Sequence, residues 1–337
     1  MRTINMHQTR RIPFLAFLAS LAMLAMLATG CGSKQPEVAS FATPEDAVKA
    51  LVAALETDDT TALARLLGPG SESLLSSGDP VADKQDRAGF LASYKAKNSL
   101  APDGDKVTLV VGENDWPMPI PLVKHDGKWH WDGAAGADEL VYRRVGANEL
   151  GTIDVMRGFV SAQIEYASVG RDGDPAGIYA LKLISDEGMH NGLYWAAAAG
   201  EPESPAGPFV AEAAAEGYRA SKDRQPYHGY FYRLLYAQGA NANGGARDYF
   251  KDGLMTQGFA LIAWPADYGS SGVQTFVINQ DGVVFQKDLG EDTATAVESI
   301  KLFDPDGAWT AIVPPAEADG AAAATRAGQA SDARGGG

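Results

Sequence analysis

The residues whose types could carry chemistry are few, and most of them stand apart. Tyr227-His228-Gly229-Tyr230 puts an imidazole among phenols at the entrance to a strand. Such a histidine can bind a ligand or move a proton near neutral pH, and it can equally be a hydrogen-bonded structural group. His125, His130 and His190 make no H-E-x-x-H spacing, and a single cysteine in the chain leaves no thiol pair for zinc. Asp172-Gly173-Asp174 alternates carboxylates about a glycine, as calcium loops do. It lacks the bidentate glutamate at the expected distance, so a weak calcium site and a solvated turn both remain open. Gly269-Ser270-Ser271-Gly272 falls short of the G-x-S-x-G nucleophile elbow and reads as a turn. With no phosphate-binding G-x-x-x-x-G-K and no dinucleotide fingerprint in the right setting, no cofactor is expected.

Aromatic residues offer a second kind of chemistry. In Asp115-Trp116-Pro117-Met118-Pro119-Ile120-Pro121 the prolines favour an extended, low-entropy segment beside an indole. That segment suits a peptide-like contact surface or an edge strand protected by proline. Trp116 and Trp195 join Tyr227 and His228 as the candidate ligand-binding residues. Trp129, Trp131, Tyr194 and Trp264 can also stack on sugars, although aromatics at strand positions are more often core.

Cys31 has a different use. Arg2, Arg10 and Arg11 precede an apolar run from Phe14 to Leu27, too short to span a bilayer but suited to a signal peptide. Leu27-Ala28-Thr29-Gly30-Cys31 resembles a bacterial lipobox, with Ala28 where leucine is commoner. Residues 1–30 are therefore expected to be a secretory signal, and Cys31 the acylated first residue of the mature chain. Acyl chains add about 0.8 kcal/mol per buried CH₂, so several on one residue hold a protein durably. Gly32 follows with no aspartate, which points to the inner leaflet of the outer membrane, facing the periplasm. The membrane is then met through the lipid, and an envelope protein is a further possible partner. The chain has 28 basic against 43 acidic residues, a net charge of −15 that grows more negative once the signal arginines are removed. Such a surface argues against nucleic acid as a ligand.

The elements that must position these residues fall into two segments between a tether (31–40) and an Ala- and Gly-rich tail (314–337). The tail has too little apolar surface to offset its ordering entropy and is expected to be disordered. In the first segment, 41–146, Thr43-Pro44-Glu45-Asp46 has the cap, proline and acids of a helix start, and Val48, Leu51, Val52 and Leu55 share a face. Further helices are expected over 61–67 and 83–98. Strands follow at 107–111, 120–123 and 128–131, the last two joined across Asp126-Gly127. The second segment, 147–313, is expected to open with a helix from Asn148 to Ser168. Gly151 and Gly158 would each cost it about 1 kcal/mol against alanine unless packing favours them. An irregular stretch from Val169 to Gln225 and strands at 229–236, 258–264, 273–278 and 283–287 complete the pattern.

The expected class is α+β. Helices leading into a meander that closes on "DGKWHWD" resemble the cone-shaped nuclear-transport-factor-like folds, with helices on a curved antiparallel sheet. The long helix followed by "GFALIAWPADYGSSGVQTFVINQDGVVFQKDLG" resembles the head of type IV pilin-like and pseudopilin proteins, although here the helix is internal. "FATPEDAVKAL", "SSGDPVAD", "GENDWPMPIPLV", "NELGTIDVMRGFVSAQIEYAS", "GLYW", "GEPESPAGP" and "PYHGYFYRLL", with that last run, span most of Phe41 to Asp304. Together they resemble the bacterial lipoprotein family known as domain of unknown function 2950. The chain departs from the family near Arg171, where "GRDGDPAG" replaces the usual acidic "DRDGDG" loop. The resemblance carries no activity. The functional expectation is a non-catalytic envelope lipoprotein that binds or scaffolds a partner. Alternatives are a hydrolase of an envelope polymer, or a small-ligand carrier with its pocket in the first cone. A cavity lined by paired carboxylates, or by His228 with an acid, would favour the enzyme, and a flat aromatic face would favour the scaffold.

Overall fold

The computed structural model describes residues 38–313, apart from 199, 217 and 219–224. The signal segment, Cys31 with the tether to residue 37, and the tail from Pro314 lie outside the described residues. Among the described residues no helix is long and apolar enough to cross a membrane.

Thr43 is extended, and its hydroxyl accepts from Asp46 N at 3.1 Å, which starts α1 (Pro44–Glu56) as its sequence predicts. Ala47, Val48, Leu51 and Ala54 form the buried face. Asp59 caps α2 (Thr60–Leu67) through Ala62 N, and the single turn α3 (Glu72–Leu75) follows. α4 (Pro80–Ala96) begins three residues before the expected start, because Asp79 caps it through Val81 N and Ala82 N. The chain then builds an antiparallel sheet from β1 (Asn98–Asp103), β2 (Lys106–Val111), β3 (Trp116–Pro117), β4 (Leu122–His125) and β5 (Lys128–Trp131). Its order is β1-β2-β4-β5, with β3 also on β2. The β4–β5 turn has positive φ at both Asp126 (50°) and Gly127 (76°), as a two-residue hairpin of this type requires. β1 carries no alternating pattern, since nearly all of it is exposed. Leu51, Leu63, Leu109, Ile120, Leu122 and Trp131 centre this first core.

α5 runs without interruption from Gly133 to Ala167, 15 residues longer at its start than the periodicity after Asn148 predicts. Asp132 caps it through Ala135 N at 3.2 Å. Gly133 and Gly136 look like poor helix formers, yet each lies against backbone that leaves no room for a side chain. A β-carbon on Gly133 would stand 2.3 Å from Leu67 O, and one on Gly136 would stand 2.5 Å from Pro119 C. Tertiary packing therefore overrides propensity. The boundary expected at 146/147 falls inside this helix, with one core before it (Ala47 to Trp131) and another after it (Ile153 to Phe303).

The stretch expected to be irregular holds three elements. β6 (Lys182–Ile184) and β7 (Gly192–Tyr194) make a small parallel pair, and α6 (Gly207–Ala215) starts at Gly207-Pro208. Next come β8 (Tyr230–Leu235) and the short ladders β9 (Ala237–Gln238) with β10 (Arg247–Asp248), and β11 (Phe250–Lys251) with β12 (Leu254–Met255). The main sheet adds β13 (Ala260–Pro265), β14 (Gln274–Asn279) and β15 (Phe285–Asp288), then α7 (Thr293–Ser299) and β16 (Thr310–Ala311). Its order is β16-β15-β14-β13-β8, antiparallel throughout, with every residue of β13 buried. Tyr232 reaches Thr152 on α5, whereas Arg233 donates to Val297 O and Ile300 O at the end of α7. Consecutive strand residues point to opposite faces, so α5 and α7 cover the two sides of this sheet. The fold is α+β, with an antiparallel sheet in each half.

Candidate functional site

A cavity of about 610 Å³ opens on the α5 side of the main sheet. Val155, Gly158, Phe159 and Ala162 of α5 form one wall, and Leu234 and Leu261 of the sheet form the floor. The small β6–β7 pair supplies Leu183, Ile184, Leu193 and Tyr194, and α6 supplies Phe209, Val210 and Ala213. The volume lies within the roughly 300–1,000 Å³ of small-molecule sites, and the lining is mostly apolar. The surrounding sequence explains the room. Gly158 has no side chain, so the Phe209 ring lies on the helix backbone, where a β-carbon would be only 2.4 Å from its Cζ. Gly151, two turns earlier, leaves the same kind of space to His228, whose ring carbon lies 3.5 Å from the β-carbon position. The two glycines that weaken this helix thus let two rings approach it.

The polar groups gather at one end. Tyr227-His228-Gly229-Tyr230 is a two-residue turn with φ of 50° at His228 and 72° at Gly229, closed by Tyr227 N to Tyr230 O (2.8 Å) and Tyr230 N to Tyr227 O (3.1 Å). Tyr227 lines the cavity, and its ring packs edge-on against Tyr218 with centroids 4.9 Å apart. The Tyr218 hydroxyl donates to Asp79 Oδ2 at 2.8 Å, and Gly229 N donates to the same oxygen at 2.9 Å. Asp79, wholly buried, therefore caps α4 with one oxygen and anchors the cavity end with the other. Burial, then the carboxylates of Glu216 and Glu212, push the Tyr227 hydroxyl up to about 12. Burial raises Tyr218 further, with Asp79 adding to it, and burial alone dominates at Tyr232. These phenols stay neutral at any physiological pH and serve as hydrogen-bonding groups in an apolar setting.

His228 lies beside this end, outside the lining. Its Nε2 is 3.8 Å from Glu216 Oε2, and its ring stacks at 4.1 Å on Tyr227. Trp195 belongs to another cluster, in which the Arg171 guanidinium lies 4.9 Å from both the Trp195 and Tyr166 rings. Asp172, at φ 50°, joins that cluster: one oxygen accepts from His190 N at 2.6 Å and the other meets His190 Nδ1 at 2.7 Å. The backbone bond first, then the imidazole, hold the Asp172 carboxyl below its ordinary range. Asp174 closes the turn through its backbone, its N–H to Arg171 O at 2.8 Å and its carbonyl to Arg171 N at 3.1 Å. No group of three or more metal-ligating side chains is found among the described residues. Trp116 sits in the other half, edge-on to Phe90 and under the Arg143 guanidinium. In Gly269–Gly272, the Ser270 hydroxyl faces Arg144 and Ser76 O while that of Ser271 bonds both backbone groups of Asp267, which makes this a structural turn.

The structure thus brings Tyr227 and His228 together and places Trp116, Trp195, Asp172 and Asp174 elsewhere. Tyr218, Phe209 and Tyr232 were missed by sequence reasoning. A usable signal existed in Gly207-Pro208 ahead of "FVAEAAA", since Pro at the first turn marks a helix start. Residues 38–312 match the family described as "Protein of unknown function (DUF2950)". No curated protein and no solved structure matches the chain. A match across that length, over both sheets and the helix that joins them, shows that the chain belongs to this family of proteins of unknown function.

Proposed function

We propose that the chain is a non-catalytic binding protein of the bacterial envelope, held by lipid on Cys31 at the periplasmic face of the outer membrane, with the apolar cavity beside α5 as its ligand site. One observation carries this reading: a cavity of about 610 Å³ lined mostly by aliphatic and aromatic side chains, with phenols that stay neutral at physiological pH as its polar end. Lys182 and Asp186 of the lining are paired with each other. The cavity lies in the second half, not in the first, where a carrier's pocket was expected. A flat aromatic face would have suited a scaffold, and a concave apolar one suits a ligand.

The test uses the full chain carrying Cys31→Ser and the apolar fluorophore N-phenylnaphthylamine. The dye is expected to brighten on binding, and Ala213→Trp, which fills the cavity from α6, is expected to abolish the signal while leaving the melting curve unchanged. Equal dye binding by both proteins would sink the reading. The anchor is tested separately. Cys31→Ser is expected to move the protein to the soluble periplasmic fraction, and a variant that still carries lipid would refute it. His228 with Glu216 at 3.8 Å is the observation that favours the hydrolase alternative. Turnover of an envelope polymer that disappears in a folded His228→Ala variant would establish it instead.

A further inference from the structure

Tyr232, Arg233 and Leu234 all line the cavity, as do Lys182, Leu183 and Ile184. Side chains alternate along a strand, so three consecutive residues can border one space only if the space runs along the strand's edge. β8 is the last strand of the main sheet, and among the described residues β6 pairs only with β7 and no strand covers the outer side of β8.

The hydrogen bonds fix which backbone groups point outward. Tyr230 N and O both bond Tyr227, and Tyr236 O accepts from Tyr249 N at 3.0 Å, all on the side away from β13. In an antiparallel pair, alternate residues turn both their N–H and C=O to the same side. Tyr230, Tyr232, Leu234 and Tyr236 therefore face outward, and Phe231, Arg233 and Leu235 bond β13 across Trp264, Ile262 and Ala260. At one end both outward groups of Tyr230, and at the other the carbonyl of Tyr236, are taken by the chain's own turns. In the middle, the N–H and C=O of Tyr232 and Leu234 have no protein partner among the described residues. Two donors and two acceptors at strand spacing, above apolar walls, match a peptide backbone. An acyl chain offers them nothing.

We propose that β8 accepts an extended apolar peptide segment of a partner protein as a sixth strand, bonded to Tyr232 and Leu234, with its side chains filling the cavity. This rests on the ligand-binding reading of the same cavity and names its ligand class. Residues of the segment on the α5 side fill the apolar space, which selects valine, leucine or phenylalanine at alternate positions. Tyr227 and Tyr249 close the two ends, so the added strand is short.

The probes are blocked octapeptides in which threonine alternates with valine, leucine or phenylalanine, titrated by calorimetry into the Cys31→Ser chain. For each, two analogues are N-methylated on one or the other set of alternate residues. At least one parent peptide is expected to bind and to displace N-phenylnaphthylamine. Only the analogue that loses the bonds to β8 should weaken, by about tenfold or more, as expected for two lost hydrogen bonds. Equal binding by parent and both analogues would overturn the proposal, since apolar side chains alone would then account for affinity. It would also be overturned if the dye and a fatty acid bind while no peptide does, which leaves the cavity a lipid site. If neither dye nor peptide binds, the ligand-binding reading itself falls.

Discussion

The Phe209 ring occupies the space that a side chain at position 158 would need, with its Cζ 2.4 Å from the β-carbon position of Gly158. Phe209 is still 40% exposed, so its ring stands at the rim and can swing into solvent. Gly158→Ala gains up to about 1 kcal/mol of helix propensity and loses the stacking of one half-exposed ring. Stability in urea is expected to change by less than about 1 kcal/mol. Dye binding, which needs the Phe209 wall, is expected to fall severalfold. Unchanged binding would show that α6 does not shape the cavity.

Asp79 carries the junction between α4 and the cavity end, accepting from Val81 N, Ala82 N, Gly229 N and the Tyr218 hydroxyl. Asp79→Ala strands all four donors and removes a helix cap, for an expected loss of about 3 kcal/mol or more in chemical unfolding. Tyr218→Phe removes one donor and leaves the carboxylate three, so its cost should be nearer 1 kcal/mol. Because both changes remove the same bond, the double variant should be no less stable than Asp79→Ala by more than a few tenths of a kcal/mol. Full additivity would disprove the contact.

The buried phenols give a signature on the alkaline side. An unfolded tyrosine titrates near 10, and Tyr227 is held up to about 12 in the fold, with Tyr218, Tyr230, Tyr232 and Tyr249 also raised, burial being the first cause in each. Between those values the unfolded chain releases protons that the folded chain keeps. The stability these groups contribute is complete below about pH 10 and is lost as the pH rises toward and beyond 12. Tyrosinate absorbance should therefore show a late, cooperative step that coincides with loss of circular dichroism. A smooth titration of all twelve tyrosines near pH 10 would contradict the burial.

Much of the first half was legible because its signals are local. Thr43-Pro44 and Asp126-Gly127 state a helix start and a hairpin through their own chemistry, and the structure uses both. The short, nearly continuous apolar runs of β13 and β14 were likewise strong enough to place two central strands. The start of α5 was not legible, since Gly133 and Gly136 are there for contacts with Leu67 and Pro119, far away in sequence. The candidate site was half legible for the same reason. Tyr227 and His228 stood out as a cluster, but the cavity depends on α6 meeting α5 and on a strand edge left uncovered, and neither has a local signature.

The glycines of α5 give opposite expectations on one helix. A β-carbon on Gly136 would lie 2.5 Å from Pro119 C and 2.6 Å from both Pro119 O and Ile120 N, all backbone that is fixed between β3 and β4. A β-carbon on Gly146 would meet nothing within 4 Å. Both positions are helical, so alanine offers the same propensity gain of about 1 kcal/mol at each. At Gly136 the clash must part the helix from the segment after β3, at a cost of about 1–3 kcal/mol or more. Gly136→Ala is thus expected to lower the urea midpoint, and Gly146→Ala to raise it by up to about 1 kcal/mol. Each acts on the joining helix, so the test also asks whether α5 is continuous through position 146. A break there would leave Gly146→Ala neutral or harmful, since a residue outside a helix gains nothing from helix propensity.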